Sequence, residues 1–300
     1  AAVDIEALKA RLSDFELYEH VSHDYSMSRE PRESVNALGK QIIAGEPVEK
    51  PKLDQIFELA CGSESPNLDF LELLILERDA DKDGKPFTVE RHPHAGISPA
   101  YRAFVKKNVD VLRLLRKYDA WLVPNVRVGD RFNYEYYLSV AVNSGPETMT
   151  FYLEDEDTAP SVEKWGLFFA AKHNKPDCMK LIFERFPDID VNKMPGDSEH
   201  APIHMAASAG SEACIRLLAE YRADVNMVSR DDERTTPLFL AYGFLHQDCI
   251  RVLHELGADL SRPNIEGRRL IDKAISFENL EENWHREDRF EMSNLIFDLM

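Results

Sequence analysis

The feature that most constrains this chain is a period. One segment reads Ala201-Pro202-Ile203-His204-Met205-Ala206-Ala207-Ser208-Ala209-Gly210, then Cys214-Ile215-Arg216-Leu217-Leu218, then Ala223-Asp224-Val225-Asn226. The same order returns as Thr236-Pro237-Leu238-Phe239-Leu240-Ala241, Cys249-Ile250-Arg251-Val252-Leu253 and Gly257-Ala258-Asp259-Leu260. Pro202 and Pro237 are 35 positions apart, as are Asp224 and Asp259, so separate blocks keep one register. Such self-similarity marks an architecture in which each unit is too small to bury its apolar face and shares it with its neighbours. Proline suits the first turn of a helix, where its missing N–H has no intrahelical partner. Small alanines let neighbouring helices approach closely, and Gly210 and Gly257 stand where helices end and left-handed backbone is cheap.

These blocks resemble the ankyrin repeat, whose hallmark is Thr-Pro-Leu-His-x-Ala, a Leu-Leu helix and Gly-Ala-Asp. The resemblance implies an all-α solenoid of stacked helix-turn-helix units with β-turn fingers. Fainter copies lie around Trp165-Gly166-Leu167-Phe168-Phe169-Ala170-Ala171, Ser98-Pro99-Ala100-Tyr101-Arg102-Ala103 and Gly267-Arg268-Arg269-Leu270. The proline-equivalent positions are then Ile56, Pro99, Tyr137, Gly166, Pro202, Pro237 and Leu270, giving about seven units over residues 50–300, the first and last degenerate. Residues 1–49 are expected to form an N-terminal helical cap, since Ile5, Leu8, Leu12 and Phe15 follow an amphipathic helical spacing.

Charge narrows the class of partner. With 54 acidic against 36 basic side chains the formal net charge is −18, which disfavours a phosphate backbone; a well-solvated surface is the preferred reading of the acidity, and a preference for a basic protein partner is the alternative. No apolar run approaches the roughly 20 residues needed to span a bilayer, so no membrane association is expected. The residues at the start lack a basic flank and an apolar core, and the four cysteines (Cys61, Cys178, Cys214, Cys249) include no Cys-x-x-Cys pair. An intracellular location, cytoplasmic or nuclear, is the expectation.

Chemistry-bearing motifs are few. Asp79, Asp81, Asp83, Gly84 and Glu90 fit the spacing of an EF-hand-like calcium loop over residues 79–90. Against it, Arg91-His92-Pro93-His94 does not start an exiting helix, and Pro86 occupies the position that normally pairs with a sister loop. A calcium-responsive protein is the alternative function; a repeat-closing Asp-Ala-Asp followed by a turn is the preferred reading. Cys178, Cys214 and Cys249 recur at 36 and 35 positions, each twelve after its proline equivalent, which places them in the core of the second helix and not around a metal. No nucleophile–base arrangement, phosphate-cradling loop or His-Glu-x-x-His motif is present, so neither enzymatic activity, a cofactor nor a metal is expected.

A protein-interaction scaffold or adaptor is the expected function, with the partner held on the concave surface made by fingers and inner helices. Carried over from the family position by position, the candidate contact residues are Phe132, Asn133 and Glu135; Lys172 and His173; Asp197, His200 and Ser208; Asp232, Glu233 and Phe244; and Arg268 and Phe277. Phe244 and Phe277 share one repeat position in adjacent units, and exposed aromatics there are expected anchors, each costing about 2 kcal/mol or more on truncation; the alternative for Phe277 is packing under the C-terminal insertion with Trp284. His204, the histidine of the hallmark block, is expected to tie its turn together by hydrogen bonds.

Overall fold

The computed structural model describes residues 4–21, 32–79, 99–118, 134–264, 267–277 and 286–300, and every regular element among them is helical. In chain order these are α1 (Ile5–Arg11), α2 (Arg32–Ile43), α3 (Lys50–Cys61), α4 (Leu68–Asp79), α5 (Pro99–Val105), α6 (Val109–Lys117), α7 (Tyr134–Ser144) and α8 (Pro146–Leu153). They continue as α9 (Ala159–Lys172), α10 (Pro176–Arg185), α11 (Pro202–Ser208), α12 (Glu212–Glu220), α13 (Pro237–Gly243), α14 (Gln247–Glu255), α15 (Leu270–Phe277) and α16 (Arg286–Leu299). The protein is all-α, built of stacked helix pairs. It divides into two compact units, Ala1–Phe151 and Tyr152–Met300.

In the second unit the period becomes two layers. The inner helices α9, α11 and α13 pack on one another, as do the outer helices α10, α12 and α14, and each inner helix rests on the outer helix that follows it. Pro176, Pro202 and Pro237 each open a helix, where the proline ring is compatible with the first turn. Ala170, Ala171, Ala206, Ala207 and Ala241 are fully buried at the inner-helix contacts, and Cys178, Cys214 and Cys249 are free thiols in the outer-helix core. Burial pushes the Cys178 and Cys249 thiols up to about 11, so they pack as small apolar groups.

The joint between inner and outer helix is the same in each pair. Asn174, Gly210 and Leu245 take left-handed backbone, with φ of 52°, 68° and 62°. The next residue then turns its N–H back to the inner helix: Lys175 to the Ala170 carbonyl at 2.8 Å, Ser211 to Ala206 at 2.9 Å and His246 to Ala241 at 2.9 Å. Each bond satisfies a carbonyl that the helix end would leave without a partner. Gly210 is needed for a second reason, because a Cβ there would lie 2.8 Å from Nδ1 of His246.

Neighbouring pairs are stitched by a ladder of asparagines. The Asp224 N–H donates to Oδ1 of Asn192 at 2.9 Å, and one unit later the Asp259 N–H donates to Oδ1 of Asn226 at 2.7 Å. Asn226 also gives its amide N–H to the Gly257 carbonyl at 3.1 Å. Asp190, Asp224 and Asp259 each bend their own loop, accepting the N–H two residues on, at Asn192, Asn226 and Ser261.

The first unit is held by individual contacts. Helix α1 packs on α4, and the Arg11 guanidinium forks onto both oxygens of Asp69 at 2.8 and 2.9 Å. Phe15 lies between the rings of Phe70 and His20, with centroids 4.5 and 4.9 Å away. Helix α2 crosses a short turn so closely that a Cβ on Gly39 would meet Cβ of Leu17 at 2.8 Å. Glu72 on α4 accepts from Lys117 and from the Tyr118 hydroxyl, while Arg116 donates to the Phe151 carbonyl at 2.6 Å and lies 3.8 Å over its ring. The same joint appears here at the end of α2, with Gly45 at φ 71° and the Glu46 N–H on the Gln41 carbonyl at 2.9 Å, and at the end of α5, with Lys107 at φ 58° and the Asn108 N–H on the Ala103 carbonyl at 2.9 Å.

Candidate functional site

The inner helices of the second unit bury one face and leave another partly open. Counted from Gly166, Pro202 and Pro237, the first, fourth and fifth residues after each are buried: Leu167, Ala170 and Ala171; Ile203, Ala206 and Ala207; Leu238, Ala241 and Tyr242. The third residue is half-buried in all three, as Phe169, Met205 and Leu240. The seventh, one helical turn further along the same face, is His173, Ala209 and Phe244. Phe244 is 58% exposed and leaves a large apolar surface to solvent among the described residues. Its ring stacks on His246 at 6.3 Å, and Nε2 of His246 is held 3.0 Å from the Ser208 carbonyl of the preceding inner helix. The aromatic group is therefore braced in place.

A ring ladder descends α9 at one end of this face. Trp165 stacks on Phe169 with centroids 5.7 Å apart, and Phe169 stacks on His173 at 6.3 Å. Burial, with help from the Lys172 and Lys175 charges, lowers the affinity of His173 for a proton, so the ladder ends in an imidazole that favours its neutral form.

The fingers flank the inner helices. Within the second finger the Ser229 N–H donates to the Thr235 carbonyl at 2.9 Å, and the Arg230 N–H bridges to the Glu199 carbonyl of the preceding finger at 2.7 Å. Asp231 organises the tip. It accepts from the Ser229 hydroxyl at 2.7 Å, the Thr235 hydroxyl at 3.2 Å and Nε2 of His200 at 3.1 Å. Burial alone would raise its pKa, but the bonds from Ser229, Thr235 and Arg234 and the nearby His200 hold it below the ordinary carboxylate value. His204 locks the finger to the helix. Its Nδ1 accepts the Ala201 N–H at 3.3 Å, so Nε2 carries the hydrogen and donates to the Thr235 carbonyl of the next finger at 3.3 Å. Full burial, reinforced by His200, pushes the imidazole down to about 4, which keeps it neutral at pH 7.

The residues singled out in the sequence fall into three groups. Lys172, Asp197, Asp232, Glu233, Phe244 and Arg268 are exposed. His173, His200 and Ser208 are half-buried and engaged: His173 by Phe169, His200 by Asp231, and Ser208 through its hydroxyl on the Met205 carbonyl at 3.0 Å. Phe132 and Asn133 lie outside the described residues, and the side chains of Glu135 and Phe277 lie outside the described part of their helices. The row Phe169, Met205 and Leu240 was not among the candidates. Its only signal is an apolar residue recurring one place before the buried alanine, which reads as core in a sequence.

Of the calcium-type loop, only the backbone of Asp79 is described, at the end of α4; residues 80–90 lie outside the described residues. Among the described residues no group of three or more His, Cys, Asp or Glu could hold a metal ion, and no helix is long and apolar enough to cross a membrane. The first unit has an open cavity of about 660 Å³ between the starts of α4 and α6 and helix α8, lined by Leu68, Lys107, Asp110, Arg113, Glu147 and Thr150 among others. None of the candidate residues lines it.

A family model described as ankyrin repeats matches residues 167–264, in three copies. A search of curated proteins finds no match.

Proposed function

We propose that the ankyrin repeats of residues 167–264 make this protein an interaction scaffold or adaptor, holding a partner protein on the face formed by the inner helices and fingers. Ankyrin repeats are generally protein–protein interaction modules, and proteins built from them are typically non-enzymatic scaffolds. The observation that carries the reading here is Phe244: a large apolar ring, 58% exposed yet braced by His246, on the open side of the inner layer. Pre-placed aromatic side chains are the usual anchors of protein interfaces, because little conformational entropy is lost when a partner covers them. By the repeat register Phe277 occupies the equivalent position one repeat further on, and the register reads as about seven repeats over residues 50–300.

The test is affinity capture with wild type beside Phe244→Ala and the Phe244→Ala/Phe277→Ala pair. The partner is expected to bind the single variant about 30-fold more weakly, the equivalent of roughly 2 kcal/mol. For Phe244→Ala, far-UV circular dichroism and the melting temperature should stay unchanged, since an exposed ring is removed. Capture of every partner at wild-type strength by both variants would refute the site.

A further inference from the structure

The open face has a shape and a charge that select one kind of occupant. Phe169, Met205 and Leu240 form a half-buried apolar row crossing three successive inner helices, and Phe244 stands exposed beside its last member. Adjacent packed helices lie about 8–10 Å apart, so the row spans roughly 20 Å, the length of about 13 residues of α-helix. Along one edge run the finger carboxylates. Glu199, Asp232 and Glu233 are exposed, with Asp197 beside them. Lys193, Arg230 and Arg234 offer opposing charge on the same two loops against Asp197, Glu199, Asp232 and Glu233, while Asp231 is committed to Ser229, Thr235 and His200. The edge is therefore net acidic while the floor is apolar.

We infer that this face receives an amphipathic helix of about four turns, with its apolar side laid across Phe169, Met205, Leu240 and Phe244 and its Lys or Arg residues turned toward Glu199, Asp232 and Glu233. The inference rests on the proposed docking function and names the chemistry of the partner. An amphipathic helix presents apolar residues at positions i, i+3, i+4 and i+7, a continuous strip that matches a row and not a pocket. Acidic flanks reward basic side chains at its borders and repel acidic ones, which gives specificity and speeds encounter.

Three fluorescein-labelled 16-residue peptides are the probes: a Leu/Lys amphipathic helix, the same sequence with Glu for Lys, and a Leu/Lys peptide of equal composition broken by two prolines. Fluorescence anisotropy is read against the full chain. Two charge-reversed variants separate the site from the general acidity of the protein: Glu199→Lys/Asp232→Lys/Glu233→Lys on the fingers, and Glu184→Lys/Asp188→Lys/Glu220→Lys elsewhere on the same unit. The account expects the Leu/Lys helix to bind at least 10-fold more tightly than either other peptide. The finger variant should reverse the preference for Lys over Glu, the second variant should leave it in place, and Phe244→Ser should weaken binding at least 10-fold. Equal losses from both charge-reversed variants, equal binding of the proline-broken peptide, no binding to wild type, or no effect of Phe244→Ser would each overturn the inference. If capture of the natural partner still depends on Phe244 while finger charge has no effect, the docking function stands and the basic helix does not.

Discussion

The two units solve the same problem, the stacking of short helices, by different means. In the second unit the contacts within and between pairs are the same few bonds used again: within a pair a left-handed residue and an N–H returned to an alanine carbonyl, and between pairs an asparagine reaching the next loop. In the first unit that joint closes α2 at Gly45 and Glu46 and α5 at Lys107 and Asn108, and most other contacts are single solutions such as the Arg11 fork on Asp69 or the Glu72 acceptor shared by Lys117 and Tyr118. Contacts that recur set the buried alanines and the bridging asparagines at a fixed interval, even though the left-handed position itself varies as Asn174, Gly210 and Leu245. One-off side-chain contacts leave no period. Regularity is thus a property of the bonding scheme before it is a property of the sequence.

The largest expected effect breaks the shared inner layer. Ala206→Leu, at a fully buried position between inner helices, should destabilise the second unit by about 3 kcal/mol, seen as a lower urea midpoint, because the close approach has no room for the added carbons. An unchanged midpoint would mean that the inner layer is not closely packed.

His204 gives a contribution of similar order that depends on pH. Its folded pKa of about 4 lies below the unfolded value near 6.5, so the unfolded chain binds the proton more readily between them. Stability from the buried neutral ring is complete above pH 6.5 and is lost as pH falls toward 4, on the order of 3 kcal/mol in all. His204→Gln, which cannot take up a proton, should flatten the slope of melting temperature against pH in that window. Asp231 acts in a lower window: its depressed pKa contributes stability above the ordinary carboxylate value that is lost as pH falls below it. A wild-type slope matched by the Gln variant would contradict the assignment to His204.

Removing a rung of the ladder should cost less. Asn226→Ala deletes the acceptor for the Asp259 N–H and the donor to Gly257 in a partly solvated setting, for an expected loss of about 1 kcal/mol in thermal denaturation. The smallest change runs in the opposite direction. Leu245 bears the left-handed conformation that Gly210 takes freely one unit earlier, so Leu245→Gly should stabilise by up to about 1 kcal/mol. Lys107→Gly tests whether the first unit's non-glycine copy of the joint carries the same strain; equal gains in both units would show that the joint, and not its surroundings, sets the cost.

Legibility in the sequence followed the same division. Pro202, Pro237 and the alanines announced the inner helices because backbone and packing allow few alternatives there. The role of His204 was also readable, since its hydrogen bonds are built from the hallmark block itself. What the sequence hid was the open row of Phe169, Met205 and Leu240, because an apolar residue at a helical interval looks identical whether a neighbour covers it or not. The tie of His200 to Asp231 was equally hidden: the two residues are 31 positions apart and meet only when one finger lies beside the next.

Hydrogen–deuterium exchange of the full chain, with and without its captured partner, tests the docking face most directly. The face proposed here requires added protection in α9, α11, α13 and the loops at 193–201 and 227–236, with α10, α12 and α14 unchanged. Protection confined to the outer helices would contradict it.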